Sequence, residues 1–489
     1  MRNAARLSLG ELGSRVPLLL LEMVLARILG PALYGVWSII QTFATYGNFL
    51  HLGVASSLAR REPGLIQRGA YDEVRANRAA AYGLQFLVVG GVAVLILAMS
   101  AMVGGVYDAI GGLSTALAVL LVILVQQITI TTQASAINEY KIMEISVSRL
   151  VFAFSFLLIG VIVVRFQPPL LWLTLGWVAS LVVALLLLNV LTQGILVVPS
   201  ADPARTAVLL KDGFPIMLQG LLRFGLVSID KLAVFAVARP EALGYYGMGS
   251  LAASVTGLFG TMISRVSLPT LLRLREKDDG IDLLQAEFYR MTALIQVLTY
   301  GALFLICSFS PLLVFFFLPA YEPAMRVIGI LALAGGFGGL AQAMSDVAMS
   351  LGVKAAVLWN TSATLVLQAV LVTLAWNLGA GIEGMAGSVV IAMVLMSARG
   401  YWLAMTAVGL QNRAGRRHLG RAAVRAAGVL LACLGGLELQ IASVDMMAHA
   451  PSAALALNAL LLVLSSSVLI VAVKQIRPRR EGSKGLGDE

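Results

Sequence analysis

Apolar runs long enough to cross a bilayer recur from one end of this chain to the other, and no other feature restricts its fold as much. Residues 82–103, 113–130, 180–196, 298–318 and 452–473 are dominated by Leu, Val, Ala, Ile, Phe and Gly. About 20 such residues span the hydrocarbon core as a helix. Lipid offers the backbone no hydrogen-bond partner, so a spanning segment must be a helix or a strand of a closed barrel. These runs are too long and continuous for the alternating strands of a barrel. Charged residues make up 12% of the chain, about half the share in a soluble domain, and the mean hydropathy is +0.90. The expected fold is all-α and polytopic.

About fourteen spans are predicted, the last two centred near Leu430 and Leu462. Arg15, Glu22 and Arg27 interrupt the first apolar run and no small-residue cleavage site follows it, so the first helix is expected to be retained. The basic residues give an independent check on the count, because Lys and Arg of short loops collect on the cytoplasmic side. They follow the even-numbered spans: Arg60, Arg61, Arg68, Arg75 and Arg78; Lys141 and Arg149; Arg205 and Lys211; Arg273, Arg275, Lys277 and Arg290; Lys354; and Arg413 to Arg425. The odd-numbered loops hold few. Both termini are therefore expected in the cytoplasm. The net charge of +10 reads as topology and attraction to anionic lipid, not as a nucleic-acid footprint.

An internal repeat is visible. LARILGPALYGVW, residues 25–37, and AVARPEALGYYG, residues 236–247, share Pro-x-x-x-Gly-x-aromatic: Pro31, Gly35 and Trp37, then Pro240, Gly244 and Tyr246. Such a sequence suits a tight outer turn, where Pro ends one helix and Gly relieves the next. Each turn joins two long apolar segments and each pair precedes a basic loop. The offset of about 209 residues places six spans in each copy, and an even number makes the copies parallel repeats about an axis along the membrane normal. The expected organisation is an N-lobe at 1–196, a C-lobe at 197–410, two further spans at 411–475, and a basic cytoplasmic tail at 476–489.

These turns, together with DGFPIMLQGLLRFGLVSIDKLAVF, SRVSLPTLLRLRE, MSLGVKAAVLWN and GIEGMAGSVV, resemble the polysaccharide (lipid-linked oligosaccharide) flippases of the multidrug/oligosaccharidyl-lipid/polysaccharide exporter superfamily. The resemblance implies two six-helix lobes around a cavity that opens alternately to each side, in a bacterial inner membrane. It implies a cationic cavity for the pyrophosphate of the carrier lipid, with a polysaccharide polymerase and export machinery as prospective partners.

An ionisable residue inside a span costs a few kcal/mol or more and is by default a functional candidate. Arg15 and Glu22 lie seven residues apart, as do Arg223 and Asp230, so each pair returns to one helix face about 10 Å along the axis. The two pairs differ by 208 residues rather than 209, and a one-residue gap in the repeat would superpose them. Arg15, Arg223, Lys231, Arg265 and Arg399 are the candidates for the cationic cavity. Glu22, Asp230 and Asp346 are candidates for a gate or for a coupling proton or sodium ion. Snorkelling to the surface is the bland reading of Arg15, Arg265 and Arg399, and an exposed pair that of Asp230 and Lys231. The basic segment 60–78 reads as a surface lying on the inner leaflet. Gly335 to Gly339 read as a close helix contact, and Cys307 and Cys433 as small buried hydrophobes.

No Walker sequence, metal-ligand spacing or cofactor motif is present. The leading function is a flippase moving a lipid-linked oligosaccharide outward without covalent chemistry, in contact with the bilayer's phospholipids. The alternatives are a cation-coupled drug or metabolite exporter of the same superfamily, and a membrane glycosyltransferase, polymerase or ligase. The last needs acid, base or nucleophile gathered on a sizeable outer loop, and the outer loops are short.

Overall fold

The computed structural model describes residues 2–410, apart from 106 and 277–280, and short stretches between 420 and 442. The thirteenth and fourteenth spans and the basic tail therefore lie largely outside the described residues. Among those described, every regular element is a helix: α1 (Arg2–Gly47), α2 (Val54–Gln67), α3 (Tyr71–Met102), α4 (Gly112–Asn138), α5 (Ile142–Val163), α6 (Pro169–Leu191), α7 (Pro203–Val237), α8 (Pro240–Arg275), α9 (Ile281–Phe317), α10 (Met325–Ser350), α11 (Lys354–Asn377) and α12 (Gly381–Ala407).

Ten stretches are long and apolar enough to cross a membrane, fewer than the sequence leads one to expect, and α1 explains part of the difference. Gly30 departs from helical geometry at φ 69°, ψ 172°. The side chains of Glu22 and Gln41 nevertheless hydrogen-bond at 2.6 Å. On a straight helix those residues would stand about 28 Å apart. The chain thus folds back at Gly30 and Pro31, and α1 is an antiparallel pair of passes. Counting α1 twice and adding α7, whose charges keep it below a simple hydropathy threshold, the described residues supply twelve passes.

Two compact units divide the chain, Met1–Gly247 and Met248–Glu489, with the boundary inside α8. In the first, α1 packs on α5 and α7, α6 on α4 and α5, and α2 on α4 and α7. The apolar side of α2 (Val54, Leu58) is buried with Ala80 and Ala81 of α3 and Leu209 of α7. Asp202 starts α7, its carboxylate accepting the Arg205 N–H at 3.0 Å with Pro203 at the first position.

In the second unit α10 is the centre and is buried along most of its length against α12 and α9. Association inside lipid depends on close packing rather than on hydrophobic transfer. A side chain at Gly339 would meet the Gly257 carbonyl at 2.5 Å, and one at Gly335 would strike the backbone of Ala253. Leu271, Phe288, Met291, Met344 and Tyr401 form a buried cluster further along these helices. Cys307 and Cys433 share a smaller cluster with Leu303 and Leu333, and both are free thiols.

Candidate functional site

The two repeat turns meet. A Cβ on Gly35 would lie 2.5 Å from the Pro240 carbonyl and 2.7 Å from the Gly244 nitrogen, and one on Gly244 would run into the Pro31 carbonyl. The contact is reciprocal, Pro of each turn against Gly of the other, so the shared motif reflects mutual packing as well as a turn. From there the second pass of α1 runs antiparallel along α7. Phe43 meets Phe235 edge-on at 5.9 Å, Tyr46 meets Phe224 at 4.7 Å, and Phe49 lies 6.0 Å from Phe224. Tyr46 also shares a 2.8 Å hydrogen bond with Ser228. At the opposite end Gly53, at φ 93°, abuts Gly213 backbone to backbone. Neither side chain nor ordinary φ is available there, so only glycine fits.

Just inside the turn contact lies a group of charges. Glu22 Oε1 accepts from Gln41 Nε2 at 2.6 Å, and Tyr34 and Trp37 lie beside the same carboxylate. Trp37 Nε1 does not reach hydrogen-bond geometry, and Glu22 Oε2 is buried without a partner, although the residue as a whole is half-buried. On α7, Asp230 is 4% exposed. Its Oδ2 accepts from the Tyr246 hydroxyl at 2.6 Å, and its Oδ1 is again buried without a partner. Lys231 interacts through space with Glu22 and Asp230 together.

The repeat register gives this group an order. Shifting by about 209 residues carries Trp37 onto Tyr246 and Glu22 onto Lys231. In each copy the motif aromatic lies against the acid of the preceding helix, Trp37 near Glu22 and Tyr246 on Asp230. Without the one-residue gap, the repeat partner of Glu22 is a cation, and the two attract. Arg15 and Arg223 stand two turns further along the same helices, both half-buried. Arg265 of α8 and Arg399 of α12 are exposed in the second unit. Asp346 of α10 is half-buried there and accepts from Gln342 at 2.9 Å. Glu22, Asp230 and Lys231 are thus the predicted residues that the structure brings together. Tyr34, Gln41, Trp37 and Tyr246 join them, and the repeated motif aromatic was the signal for two of these.

In segment 60–78 Arg60, Arg61, Arg68 and Arg75 are exposed, in keeping with a basic surface, and Arg78 departs from it. Arg78 is 4% exposed and Glu62 fully buried. The guanidinium holds both Glu62 oxygens, at 2.9 and 3.1 Å, and Glu139 at 2.8 Å. Ser135 donates to Glu62 at 2.9 Å and Asn138 at 3.2 Å. Lys141 closes the network on Glu139 at 2.8 Å and on the Thr192 carbonyl at 2.6 Å. Burial raises the Glu139 pKa, but Lys141 and Arg78 outweigh it and hold the carboxyl below its ordinary range.

A model of the polysaccharide biosynthesis protein family matches residues 24–321. No curated protein matches the chain. Among solved structures, the lipid II flippase MurJ in an inward closed conformation is similar over 96% of this chain and 99% of its own, at 13% identity and TM-score 0.66. An inward-facing multidrug resistance MATE family transporter of the MOP superfamily is similar over 81% of this chain and 95% of its own, at 14% identity and TM-score 0.64. The eukaryotic MATE transporter AtDTX14 follows at 13% identity, 87% and 99% coverage and TM-score 0.60. At these identities the likeness is one of fold.

Proposed function

Because the chain belongs to the polysaccharide biosynthesis protein family, we propose that it is a flippase carrying a lipid-linked oligosaccharide, on a polyprenyl-pyrophosphate carrier, from the cytoplasmic to the outer leaflet. The observation that carries this reading is the Glu22–Lys231–Asp230 group, set between two glycine contacts on helices that the repeat pairs. A cation flanked by two carboxylates with unsatisfied oxygens is an arrangement that can change partners. In the proposed cycle the contacts at Gly35–Gly244 and Gly53–Gly213 open alternately, and the charge group reports which is shut. Arg15, Arg223, Arg265 and Arg399 take the pyrophosphate oxygens in charge-assisted pairs. With the pyrophosphate near, Lys231 leaves the carboxylates for it. Glu22 and Asp230, with Asp346 as a further acid, then hold the coupling proton or sodium ion. The proposed setting is a bacterial inner membrane with both termini in the cytoplasm, beside a polymerase and export machinery.

A second reading, export of a drug or metabolite, is supported by the comparable fold similarity to the MATE transporter. Deleting the gene in its host and locating lipid-linked oligosaccharide separates the two. Build-up confined to the cytoplasmic leaflet, relieved by the wild-type chain and not by Arg223→Ala at equal expression, is expected. Unchanged lipid intermediates together with a retained toxic cation would replace the flippase with the exporter.

A further inference from the structure

Where α2, α3 and the start of α7 come together, at the basic end of the first unit, the structure holds a cleft of about 720 Å³ lined by Arg61, Arg68 and Arg205. Each of the three guanidinium groups is engaged through its Nε edge. Arg61 binds Asp212 through both Nε, at 2.6 Å, and Nη2, at 2.5 Å, while Arg205 Nε binds Asp202 at 3.0 Å and Arg68 Nε the Gly64 carbonyl at 3.1 Å. Arg205 Nη1 also reaches Asn77 at 3.4 Å. A guanidinium has five donors in a fixed fork. Anchoring the Nε edge therefore orients each fork and leaves Nη donors for a further acceptor. Asp202 and Glu73 share the lining, so the cleft is not a diffuse excess of charge but three positioned forks.

Val208 supplies the apolar face of the remaining wall, with Leu65 and Leu209 buried behind it. Val208 is 45% exposed, and Tyr71 of α3 and Phe214 of α7 are exposed at 60% and 47%. A free anion has no use for such a wall. A phosphate carried on an acyl chain does, because its polar group meets the forks while its glycerol and first methylenes cover the apolar side. Basic clefts at the cytoplasmic face of membrane helices suit anionic lipid headgroups on general electrostatic grounds, and Arg matches phosphate geometry better than Lys.

We propose that this cleft is a binding site for the phosphate headgroup of an anionic phospholipid, distinct from the Glu22–Lys231–Asp230 group. The site does not depend on the flippase reading, since a chain that transports nothing would still show it.

The test uses the purified full chain in detergent, titrated with dioleoylphosphatidylglycerol or dioleoylphosphatidylcholine and read by native mass spectrometry. Arg68→Gln removes a fork with no carboxylate partner, and Arg61→Lys keeps charge and the Asp212 pair while losing the fork. Arg165→Gln, in the turn between α5 and α6 at the other end of the bundle, is the control. Each cleft variant is expected to bind phosphatidylglycerol about tenfold more weakly than wild type, the scale of one charge-assisted hydrogen bond. The control should bind as wild type does, and phosphatidylcholine should bind weakly throughout. The proposal is overturned if both cleft variants, folded by thermal midpoint, retain wild-type affinity, or if phosphatidylcholine binds equally well. Displacement by an equal concentration of inorganic phosphate would overturn the lipid assignment.

Discussion

Two buried charge clusters in the first unit invite comparison. In the Glu62–Arg78–Glu139–Lys141 network both Glu62 oxygens are held and Arg78 is bidentate. In the Glu22–Lys231–Asp230 group each acid has one short hydrogen bond and one orphaned oxygen. Both remove charge from water, which is costly. The first has recovered its hydrogen bonds and ties α2, α3 and α4 to the loop before α5. The second has not, and a half-satisfied polar group persists only where something else requires it. Satisfaction, more than burial, separates the fastening from the group proposed to move.

The largest effect should come from breaking the fastening. Arg78→Met leaves Glu62 charged and unpaired, and should cost about 3–5 kcal/mol, seen as loss of monodisperse protein in size-exclusion chromatography. A folded Arg78→Met chain would erase the distinction between the clusters.

Next comes Glu22→Gln. Its amide can keep one hydrogen bond with Gln41, so the thermal midpoint should stay near wild type while complementation of the deletion strain drops about tenfold or more, the size of a lost charge-assisted contact. Full complementation would reduce Glu22 to a packing residue.

Gly244→Ala should be milder, about 1–3 kcal/mol as an overpacked contact, because its Cβ strikes the Pro31 carbonyl. Labelling of Tyr34→Cys by a membrane-impermeant thiol reagent should rise with it. An unchanged midpoint would mean the turns do not bear on one another.

Smallest is the acid limb of the stability curve. The Glu139 carboxyl is held below its ordinary value of about 4.5. Its contribution is complete above the unfolded-state value and is lost as pH falls through the folded one. Thermal midpoints recorded between neutrality and about pH 4 should therefore fall less steeply in Glu139→Gln than in wild type. Parallel curves would show that Glu139 carries no linked proton.

Most of the fold was legible because lipid imposes one rule on every span. The hairpin at Pro31, the twelve described passes and the alternation of basic loops follow from apolar length and charge placement alone. The candidate site's charged group was legible in part. Glu22, Asp230 and Lys231 stood out because a charge in an apolar run is conspicuous. Their partners did not, since Gln41, Tyr34 and Tyr246 are ordinary residues until the chain folds back on itself. Arg78 was misplaced for the opposite reason. It sits among Arg60, Arg61, Arg68 and Arg75, and only the helix geometry that aims it at Glu62 and Glu139 sets it apart. The arginines of the second unit, Arg265 and Arg399, are exposed.

The contact between Gly53 and Gly213 is made of bare main chain. Peptide groups do not titrate, carry no net charge and offer a bulk electrolyte nothing to screen. A contact of this kind is deaf to acidity, ionic strength and membrane voltage. Any sensitivity of the working protein to those variables has to be heard elsewhere, by the few side chains that carry charge into the bilayer.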